Sequence, residues 1–340
     1  MRPRAWLALT TVLAACSATA SSAPSEGQLT APPSAPAATA TAEPGEGLAF
    51  TWPDGEEPVV TRDMTGITQR YINPGAVIDD DGTLHMYPNL FTAWPGRVQV
   101  PHLTSTDGAS WELASEEPAL ASGDVPYAEP GIDVSTGFVT DDGTWVLVFQ
   151  TVNATEPWEI GIATAPGADG PWTVAPEPVL TAPDPDADGG LGWPSVVRVD
   201  GGYAMYLTVM SGPFRGGTIG MATSPDGLTW TLEDEAVLAA EAEWEGVLLD
   251  RPRAVRTDEG YLMVYAGTRL TDRGVAVSDD GVTWTRLGDG PAITTASFPV
   301  SGNAWDAALV ERDGVLTYYL EIGIASGPGT QVYRATAEVP

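Results

Sequence analysis

Acidic residues at matching depths in a repeated sequence are the first candidates for chemistry. Asp133 and Asp250 each lie ten residues before a turn glycine, Gly143 and Gly260 respectively, and Asp306 lies shortly before the next such glycine. Two carboxyl groups that face each other, about 5–10 Å apart, can act as acid and as base or nucleophile in the cleavage of a glycosidic bond. We therefore take Asp133, Asp250 and Asp306 as candidate catalytic residues.

Two arginines, Arg251 and Arg253, follow Asp250 closely. A neighbouring cation holds a carboxyl group ionised, which suits a base or a group that clamps a ligand. The alternative is that Asp250 and Arg251 form a buried structural ion pair, and the sequence favours neither interpretation. We expect Arg251 and Arg253 to contact a substrate.

Other polar and aromatic side chains fall at the same ends of the repeats. Aromatic faces are apolar surfaces on which sugar rings can stack, although packing between repeats would explain any single one of them. Beside the two arginines, the candidate substrate-binding residues are Asn73, Glu129, Trp193 and Trp305, and Tyr71, Tyr127 and Glu245 lie close to the same positions.

Side chains that ligate metals are scarce in this chain. With two histidines and one cysteine, it is poorly suited to a zinc or redox site. Asp184, Asp186 and Asp188 alternate ahead of Gly189 as in the first half of a calcium loop, but the twelfth position is Ser195 rather than a glutamate. The sequence predicts either a Ca²⁺ site or a polar loop there, and it requires no cofactor.

Five internal repeats predict the architecture that positions these residues. Turn glycines, each followed by an apolar and aromatic strand, recur at steps of 61, 59, 58 and 54 residues: Gly82, Gly143, Gly202, Gly260 and Gly314. Strand patterns separated by Gly and Pro turns, without helical periodicity, are typical of an all-β propeller. The innermost strands of a propeller start at its central axis, so we expect the candidate residues to converge there.

A second landmark, Ser-x-Asp-Gly-x-x-Trp, occurs at Ser105–Trp111, Ser224–Trp230 and Ser278–Trp284, with a degenerate copy at 163–172. A hairpin turn and a packed indole explain every residue of this box, so we interpret it as structural. The last repeat lacks its tryptophan, and Phe50–Trp52 reads like the missing strand. The sequence therefore predicts a five-bladed β-propeller whose N-terminal strand completes the last blade and closes the ring.

The repeats and boxes resemble those of the five-bladed glycosidase superfamily, the arabinanases and β-xylosidases with their invertase relatives (glycoside hydrolase families 43 and 32). The most similar segment is Ile132–Trp145, which looks like the second-blade strand of that superfamily. The resemblance implies that Asp133 is the aspartate that orients the catalytic acid and tunes its pKa. The first-blade base of the superfamily appears here as Asn73, and its third-blade acid appears as Gly192.

An amide can neither take a proton from water nor attack an anomeric carbon. The resemblance therefore implies a carbohydrate-active protein of one of two kinds: a glycoside hydrolase that uses Asp250 or Asp306 in place of the missing carboxyl groups, or a glycan-binding propeller that has lost catalysis. A sialidase-like enzyme is a third interpretation, in which Arg70 would join Arg251 and Arg253, but such enzymes normally have six blades. Fold resemblance alone does not decide between them.

The N-terminal region predicts export. Residues 1–15 place two arginines ahead of an apolar run, as a secretory signal peptide does, and Leu13–Cys16 resembles the bacterial lipobox. We expect Cys16 to be lipidated, residues 16–47 to form a disordered linker rich in Ser, Ala, Pro and Thr, and residues 48–340 to form the propeller. The lipid would then hold the protein on the extracytoplasmic side of the bacterial cell membrane.

Charge limits the partners. A net charge of −31 repels phosphate backbones and disfavours binding to nucleic acid. We expect a carbohydrate substrate or ligand, membrane contact only through the N-terminal lipid, and a monomer.

Overall fold

The computed structural model describes residues 48–340 except 154–156, 183–188, 213–215, 325–326 and 328. Within these residues the protein consists of five antiparallel sheets and three short 3-10 helices. None of its helices has the length and apolar composition needed to cross a membrane, over the part of the chain so described.

Each sheet is one blade of a propeller. Blade 1 contains β1 (Tyr71–Asp80), β2 (Thr83–Phe91), β3 (Val98–Val100), β4 (Leu103–Ser105), β5 (Glu112–Leu113) and β6 (Leu120–Ala121). Blade 2 contains β7 (Pro130–Val139), β8 (Trp145–Asn153), β9 (Ile160–Ala165) and β10 (Thr173–Val174). Blade 3 contains β11 (Gly190–Val199), β12 (Gly202–Met210), β13 (Gly217–Ser224) and β14 (Thr231–Leu232). Blade 4 contains β15 (Asp250–Thr257), β16 (Gly260–Ala266), β17 (Arg273–Ser278) and β18 (Thr285–Arg286), and blade 5 contains β19 (Gly302–Arg312), β20 (Val315–Ile324) and β21 (Thr330–Glu338). The 3-10 helices are Arg62–Thr65, Ser122–Asp124 and Thr295–Ser297.

The predicted five-bladed propeller is confirmed. The first strands of the blades, β1, β7, β11, β15 and β19, contact one another in a closed cycle around the axis. The second strands are buried on both faces because each blade packs between two others. In β8, for example, every residue but the last is buried.

The N-terminal segment closes the ring, as predicted. Thr51 and Thr336 exchange two backbone hydrogen bonds of 2.8 Å, which attaches the segment to the outer edge of β21. Further along, the backbone N–H of Val332 donates to the carbonyl of Val60 at 3.0 Å. Blade 5 therefore contains strands from both ends of the described chain.

The Ser-x-Asp-Gly-x-x-Trp boxes form turns whose polar groups bond to one another. In the first box, the backbone N–H of Gly108 donates to Ser105 Oγ at 2.9 Å, and those of Ala109 and Ser110 donate to Asp107 Oδ1 at 2.8 Å. The hydroxyl of Tyr319, from blade 5, donates to the carbonyl of Gly108 at 2.9 Å. The box therefore shapes a turn and also receives a contact from the neighbouring blade.

A one-residue bulge interrupts all five inner strands at nearly the same depth. Asn73 of β1 pairs with Asn89 of β2, and Ala76 pairs with Tyr87, so β1 has one more residue than β2 between the two pairs. The other four bulges lie between Val134 and Thr136, Gly192 and Ser195, Asp250 and Arg253, and Ala304 and Ala307. Bulges redirect the side chains beside them, and here they do so next to the axis.

Side chains near the bulges tie each blade to the next. Each of these five hydrogen bonds joins a side chain to a backbone group of the adjacent inner strand or its neighbour. They are Val134 N–H to Asn89 Oδ1, Val196 N–H to Thr136 Oγ1, Ala254 N–H to Ser195 Oγ, Arg253 Nε to the Ala307 carbonyl, and Ile72 N–H to Thr330 Oγ1. The ring is therefore joined at its centre as well as at the closing strand.

We predict that the closing strand carries a large share of the stability. Val60 is fully buried against blade 5, so Val60→Asp would bury an unpaired charge and lower the free energy of unfolding by about 4 kcal/mol. Urea unfolding of the full-length protein measures this. Val282→Asp is the control, because Val282 is 53% exposed and its replacement should cost under about 0.5 kcal/mol. Equal costs at the two positions would contradict the closure.

Candidate functional site

The inner strands bring the three predicted aspartates to the axis. Asp133 is 1% exposed, Asp250 is 0% exposed and Asp306 is 3% exposed. In the pairing of inner with second strands, Asp133 lies opposite Gln150 and Asp250 lies opposite Ala266. Each aspartate lies three residues before the residue at which the bulge of its strand ends, Thr136 and Arg253 respectively. The equal depth predicted for these two residues is therefore confirmed.

Two side-chain amides contact the Asp133 carboxyl. Asn73 Nδ2 donates to Asp133 Oδ1 at 3.2 Å, and Gln150 Nε2 donates to Asp133 Oδ2 at 3.4 Å. Burial, followed by the nearby Asp306 carboxylate, raises the pKa of Asp133 to about 8, against the opposing effects of Asn73, Arg253 and Arg251. Asp133 is therefore mostly protonated at neutral pH.

Asp250 and Arg251 form a buried ion pair. Arg251 Nη1 donates to Asp250 Oδ2, and Thr208 Oγ1 donates to Asp250 Oδ1 at 2.9 Å. The guanidinium of Arg251 also stacks 3.9 Å from the ring centroid of Trp193. The structure thus favours the ion-pair interpretation of Asp250, whose two oxygens are both engaged.

Arg253 connects three blades through its guanidinium. Its Nη2 donates to Asp306 Oδ1 at 2.6 Å, and its Nη1 donates to the carbonyl oxygens of Trp193 at 3.2 Å and of Pro252 at 2.9 Å. The other oxygen of Asp306, Oδ2, is buried without a hydrogen-bond partner among the described residues. Asp306 is therefore paired on one side only.

Two further ionisable residues at the axis were not identified from the sequence. Glu321 of β20 is 4% exposed and accepts the backbone N–H of Asp306 at 3.2 Å, and burial raises its pKa to about 8. Arg273 of β17 is fully buried and donates through Nη2 to the Trp305 carbonyl at 2.7 Å. Arg273 Nε and Nη1 and Arg251 Nε find no hydrogen-bond partner in the part of the chain that the structure describes.

The position of Gly192 is closely surrounded. A Cβ atom there would lie 3.2 Å from Gln150 Oε1 and 3.7 Å from both Trp158 Cε3 and Met210 Cε. The place where the resemblance puts a catalytic acid is therefore bordered by an amide, an indole and a thioether. Gln150 and Trp158 are site residues that the sequence analysis did not identify.

Two further acidic residues were expected near the axis. The Glu129 side chain is 80% exposed and lies 3.7 Å from Arg97, one residue before β7 begins, so its role in binding stays a prediction. Glu245 is buried, but Arg286 Nε donates to it at 2.7 Å and Tyr265 also bonds to it, away from the aspartates.

The other predicted binding residues, Asn73, Trp193 and Trp305, differ in how much of each side chain is exposed. Trp193 is 1% exposed and packs beneath Arg251, whereas Trp305 is 37% exposed, with its ring over Gly323. Asn73 is 2% exposed and uses its amide nitrogen on Asp133. Trp305 is therefore the one of these three that presents a large apolar surface to a ligand.

The lipidation and calcium predictions fall outside the described residues. Cys16 lies in the undescribed N-terminal region, and Asp184, Asp186 and Asp188 lie in the undescribed segment 183–188. Over the described ranges, no group of three or more His, Cys, Asp and Glu side chains could hold a metal ion.

A cavity of about 220 Å³ lies along the axis beyond Arg253, towards the ends of the inner strands. Residues of all five inner strands line it, with Ser135, Ser195 and Val255 among the wall residues. It touches none of the three aspartates, so we place the candidate site at the starts of the inner strands instead.

Comparison with known proteins agrees with the geometry. A family model described as beta-1,4-mannooligosaccharide phosphorylase matches residues 191–317, a segment that includes Asp250, Arg251, Arg253 and Asp306 but not Asp133. Among curated proteins there is no significant match.

Many solved structures share the fold. One is a member of glycoside hydrolase family 130, described as a family of mannoside phosphorylases that contains hydrolases of β-1,2 mannosidic linkages in Candida mannan. It has 18% identity and a TM-score of 0.62, and the match covers 87% of this chain and 95% of that one. A glycosyl hydrolase from Bacteroides ovatus has 18% identity and a TM-score of 0.61, with 85% and 93% covered. A thermostable family-43 glycoside hydrolase has 16% identity and a TM-score of 0.58, with 79% and 89% covered.

The fold is that of the glycosidase-like five-bladed propellers. Identities this low establish the fold alone, so the resemblance found in the sequence is confirmed at that level. The matching family model is the mannoside phosphorylase one rather than that of the arabinanases and β-xylosidases.

We predict that the Asp250–Arg251 pair behaves as a unit. Arg251→Met would leave Asp250 buried without its cation and should lower the free energy of unfolding by about 3–5 kcal/mol. The double variant Asp250→Asn/Arg251→Met removes both charges and should cost less than the single one. Urea unfolding of Arg251→Met, Asp250→Asn and the double variant measures this, and a double variant as unstable as the sum of the two singles would contradict the pairing.

Proposed function

We propose that this protein cleaves β-mannosides by phosphorolysis, with Asp133 as proton donor and inorganic phosphate as nucleophile. The observation that carries the proposal is the composition of the axial site. It joins two carboxyl groups that favour their protonated form, Asp133 and Glu321, to buried arginines with N–H groups that are unpartnered among the described residues. The matching family description names a phosphorylase of mannooligosaccharides, which supports the same chemistry.

The leaving group needs a proton, and Asp133 can supply it. A general acid must be protonated at the working pH and lie within hydrogen-bond reach of the departing oxygen. Asp133 meets the first condition because burial and Asp306 raise its pKa to about 8. Of the three predicted aspartates, it is also the one that no arginine of the described chain contacts through an ion pair.

A base that could activate water is harder to find. Asn73, at the position of the superfamily's base, is an amide. Asp250 is neutralised by Arg251, and Asp306 is paired with Arg253 through one oxygen. Phosphate needs no such base, because it arrives already ionised.

The arginines favour an anion. Arg251, Arg253 and Arg273 place three guanidinium groups near two paired carboxylates, Asp250 and Asp306. Buried N–H donors without partners are costly, and phosphate oxygens are their preferred acceptors. Arg273 Nε and Nη1 and Arg251 Nε, which have no partner among the described residues, are therefore suited to hold phosphate.

The proposed reaction balances. A phosphate oxygen of HPO₄²⁻ forms a bond to the anomeric carbon while the bond from that carbon to the glycosidic oxygen breaks. The departing oxygen takes the proton of Asp133. The proton that HPO₄²⁻ carried then passes to the Asp133 carboxylate and restores the acid. The products are a sugar 1-phosphate and a shortened saccharide.

The substrate assignment rests on similarity and on one exposed aromatic side chain. The family description names β-1,4-mannooligosaccharides, and one similar structure comes from a family said to contain hydrolases of β-1,2 mannosidic linkages. The exposed indole of Trp305 offers a surface on which a sugar ring can stack.

We propose that the lipid on Cys16 holds this activity at the outer face of the bacterial membrane, and that the segment at Asp184, Asp186 and Asp188 binds Ca²⁺.

Glycan binding without turnover is the second candidate function. It is favoured by Asn73 and Gly192, which stand where the superfamily has two catalytic carboxyl groups. Hydrolysis is the third candidate function. In that case Asp306 Oδ2, which has no hydrogen-bond partner in the described part of the chain, would act as the base.

The test is to incubate the full-length protein with β-1,4- and β-1,2-mannooligosaccharides, with and without phosphate, and to measure mannose 1-phosphate by ³¹P NMR. We expect product only with phosphate, and we expect Asp133→Asn to lower kcat at least about 100-fold. Asp141→Asn, at an exposed aspartate outside the site, is the control and should leave the rate unchanged.

Other outcomes identify the alternatives. Free mannose formed without phosphate, and lost in Asp306→Asn, would contradict phosphorolysis and establish a hydrolase. Saturable binding of the oligosaccharides without any product would establish the glycan-binding protein.

A further inference from the structure

We propose that Asn73 and Gln150 are positioning residues that hold Asp133 from both sides and direct its acidic proton into the axial site. This inference rests on the proposed function of Asp133 as the proton donor. It concerns two residues that carry no ionisable group and that act on the reaction only through Asp133.

The network fixes the orientation of both amides. Asn73 Oδ1 accepts the backbone N–H of Gly75 at 3.1 Å and Asn89 Nδ2 at 2.8 Å, so its amide nitrogen is the end that faces Asp133. Gln150 Oε1 accepts the backbone N–H of Trp193, so its amide nitrogen also faces Asp133. Rotating either amide by half a turn would set two donors or two acceptors against each other.

The acidic proton must then point away from both amides. Each carboxyl oxygen of Asp133 receives one N–H group, and an amide nitrogen cannot accept a hydrogen bond. Within the described residues, no hydrogen bond joins Asp133 to Asp306, whose Oδ1 is occupied by Arg253 and by the backbone N–H of Ala307. Among the described residues, no hydrogen bond therefore engages this proton.

Opposing charges surround the clamped carboxyl. Asp306 of blade 5 disfavours its ionisation, and Arg253 and Arg251 of blade 4 favour it. N–H donors stabilise the ionised form, so the amides also ease the loss of the proton. The two amides of Asn73 and Gln150, which we call the amide clamp, thus limit the rise in the pKa of Asp133 that burial causes.

The clamp also accounts for Gly192. Asn73, Asp133 and Gly192 occupy the same place in three successive inner strands, each three residues ahead of the end of its bulge. A side chain on residue 192 would come within 3.2 Å of Gln150 Oε1 and press on the amide that holds Asp133. Asn73 and Gly192 are the two positions that lack the superfamily's carboxyl groups. Asn73 supplies one amide of the clamp, and Gly192 leaves room for the other, that of Gln150.

The test measures the pKa of Asp133 directly, by ¹³C NMR titration of full-length protein labelled at the aspartate carboxyl carbons. Asp133→Asn assigns the signal. Gln150→Met and Asn73→Ala each remove one donor to the carboxylate, and each should raise the pKa of Asp133 by about one unit. Gln331→Met removes an amide that contacts Tyr333 and no site residue, so it should leave this titration unchanged.

A second measurement follows the reaction. The alkaline limb of the pH–rate profile should shift upwards in Gln150→Met together with the NMR pKa, while kcat falls and KM stays within about twofold. A merely structural role would lower the melting temperature and leave the pKa of Asp133 where it was.

The outcomes separate the two proposals. An Asp133 pKa that is unchanged in both variants would overturn the clamp, even if the protein is a phosphorylase. A pKa that rises in both variants while no substrate is turned over would confirm the clamp and overturn the proposed function. Both variants are needed, because Asn73→Ala also removes a bond to Asn89, whereas Gln150→Met leaves that bond in place.

Discussion

A regular inner strand would alternate its side chains between the two faces of its blade, and its residues would pack against the neighbouring blades. The single extra residue in each inner strand breaks this alternation beside the axis. Two of the bulges hold a non-glycine residue at positive φ, with Trp193 at 48° and Arg251 at 51°. Backbone of this kind is uncommon outside glycine, and here it places an indole and a guanidinium against each other at the centre of the ring.

Burial at the axis then sets the chemistry. Away from water, a carboxyl group either finds a cation or keeps its proton, and both solutions occur side by side. Asp250 and Asp306 are paired with Arg251 and Arg253, whereas Asp133 receives only amides and stays protonated. One buried site thus contains a carboxyl group that favours its protonated form and three arginines, the combination from which we propose phosphorolysis.

The sequence predicted the ring well because local features determine it. Turn glycines and Asp-Gly boxes repeat along the chain, and the missing strand of blade 5 was visible at the N-terminus. Counting back from the glycines also placed Asp133 and Asp250 correctly.

Three other site residues lie on second and third strands and reach the axis only through tertiary packing: Gln150, Arg273 and Glu321. The signal that could have revealed two of them is a polar residue within an apolar strand, since Gln150 follows Phe149 and Glu321 follows Leu320.

The central claim is that the axial arginines form an anion site, and calorimetric titration of the full-length protein with inorganic phosphate tests it most directly. We predict saturable binding of one phosphate per chain, weakened at least about tenfold by Arg273→Met, since charge-assisted bonds to phosphate would be lost. Arg312→Met, at a residue paired with Asp79 near the far ends of two inner strands, should bind phosphate as the parent protein does. Absence of phosphate binding, or binding that Arg273→Met leaves unchanged, would contradict the account.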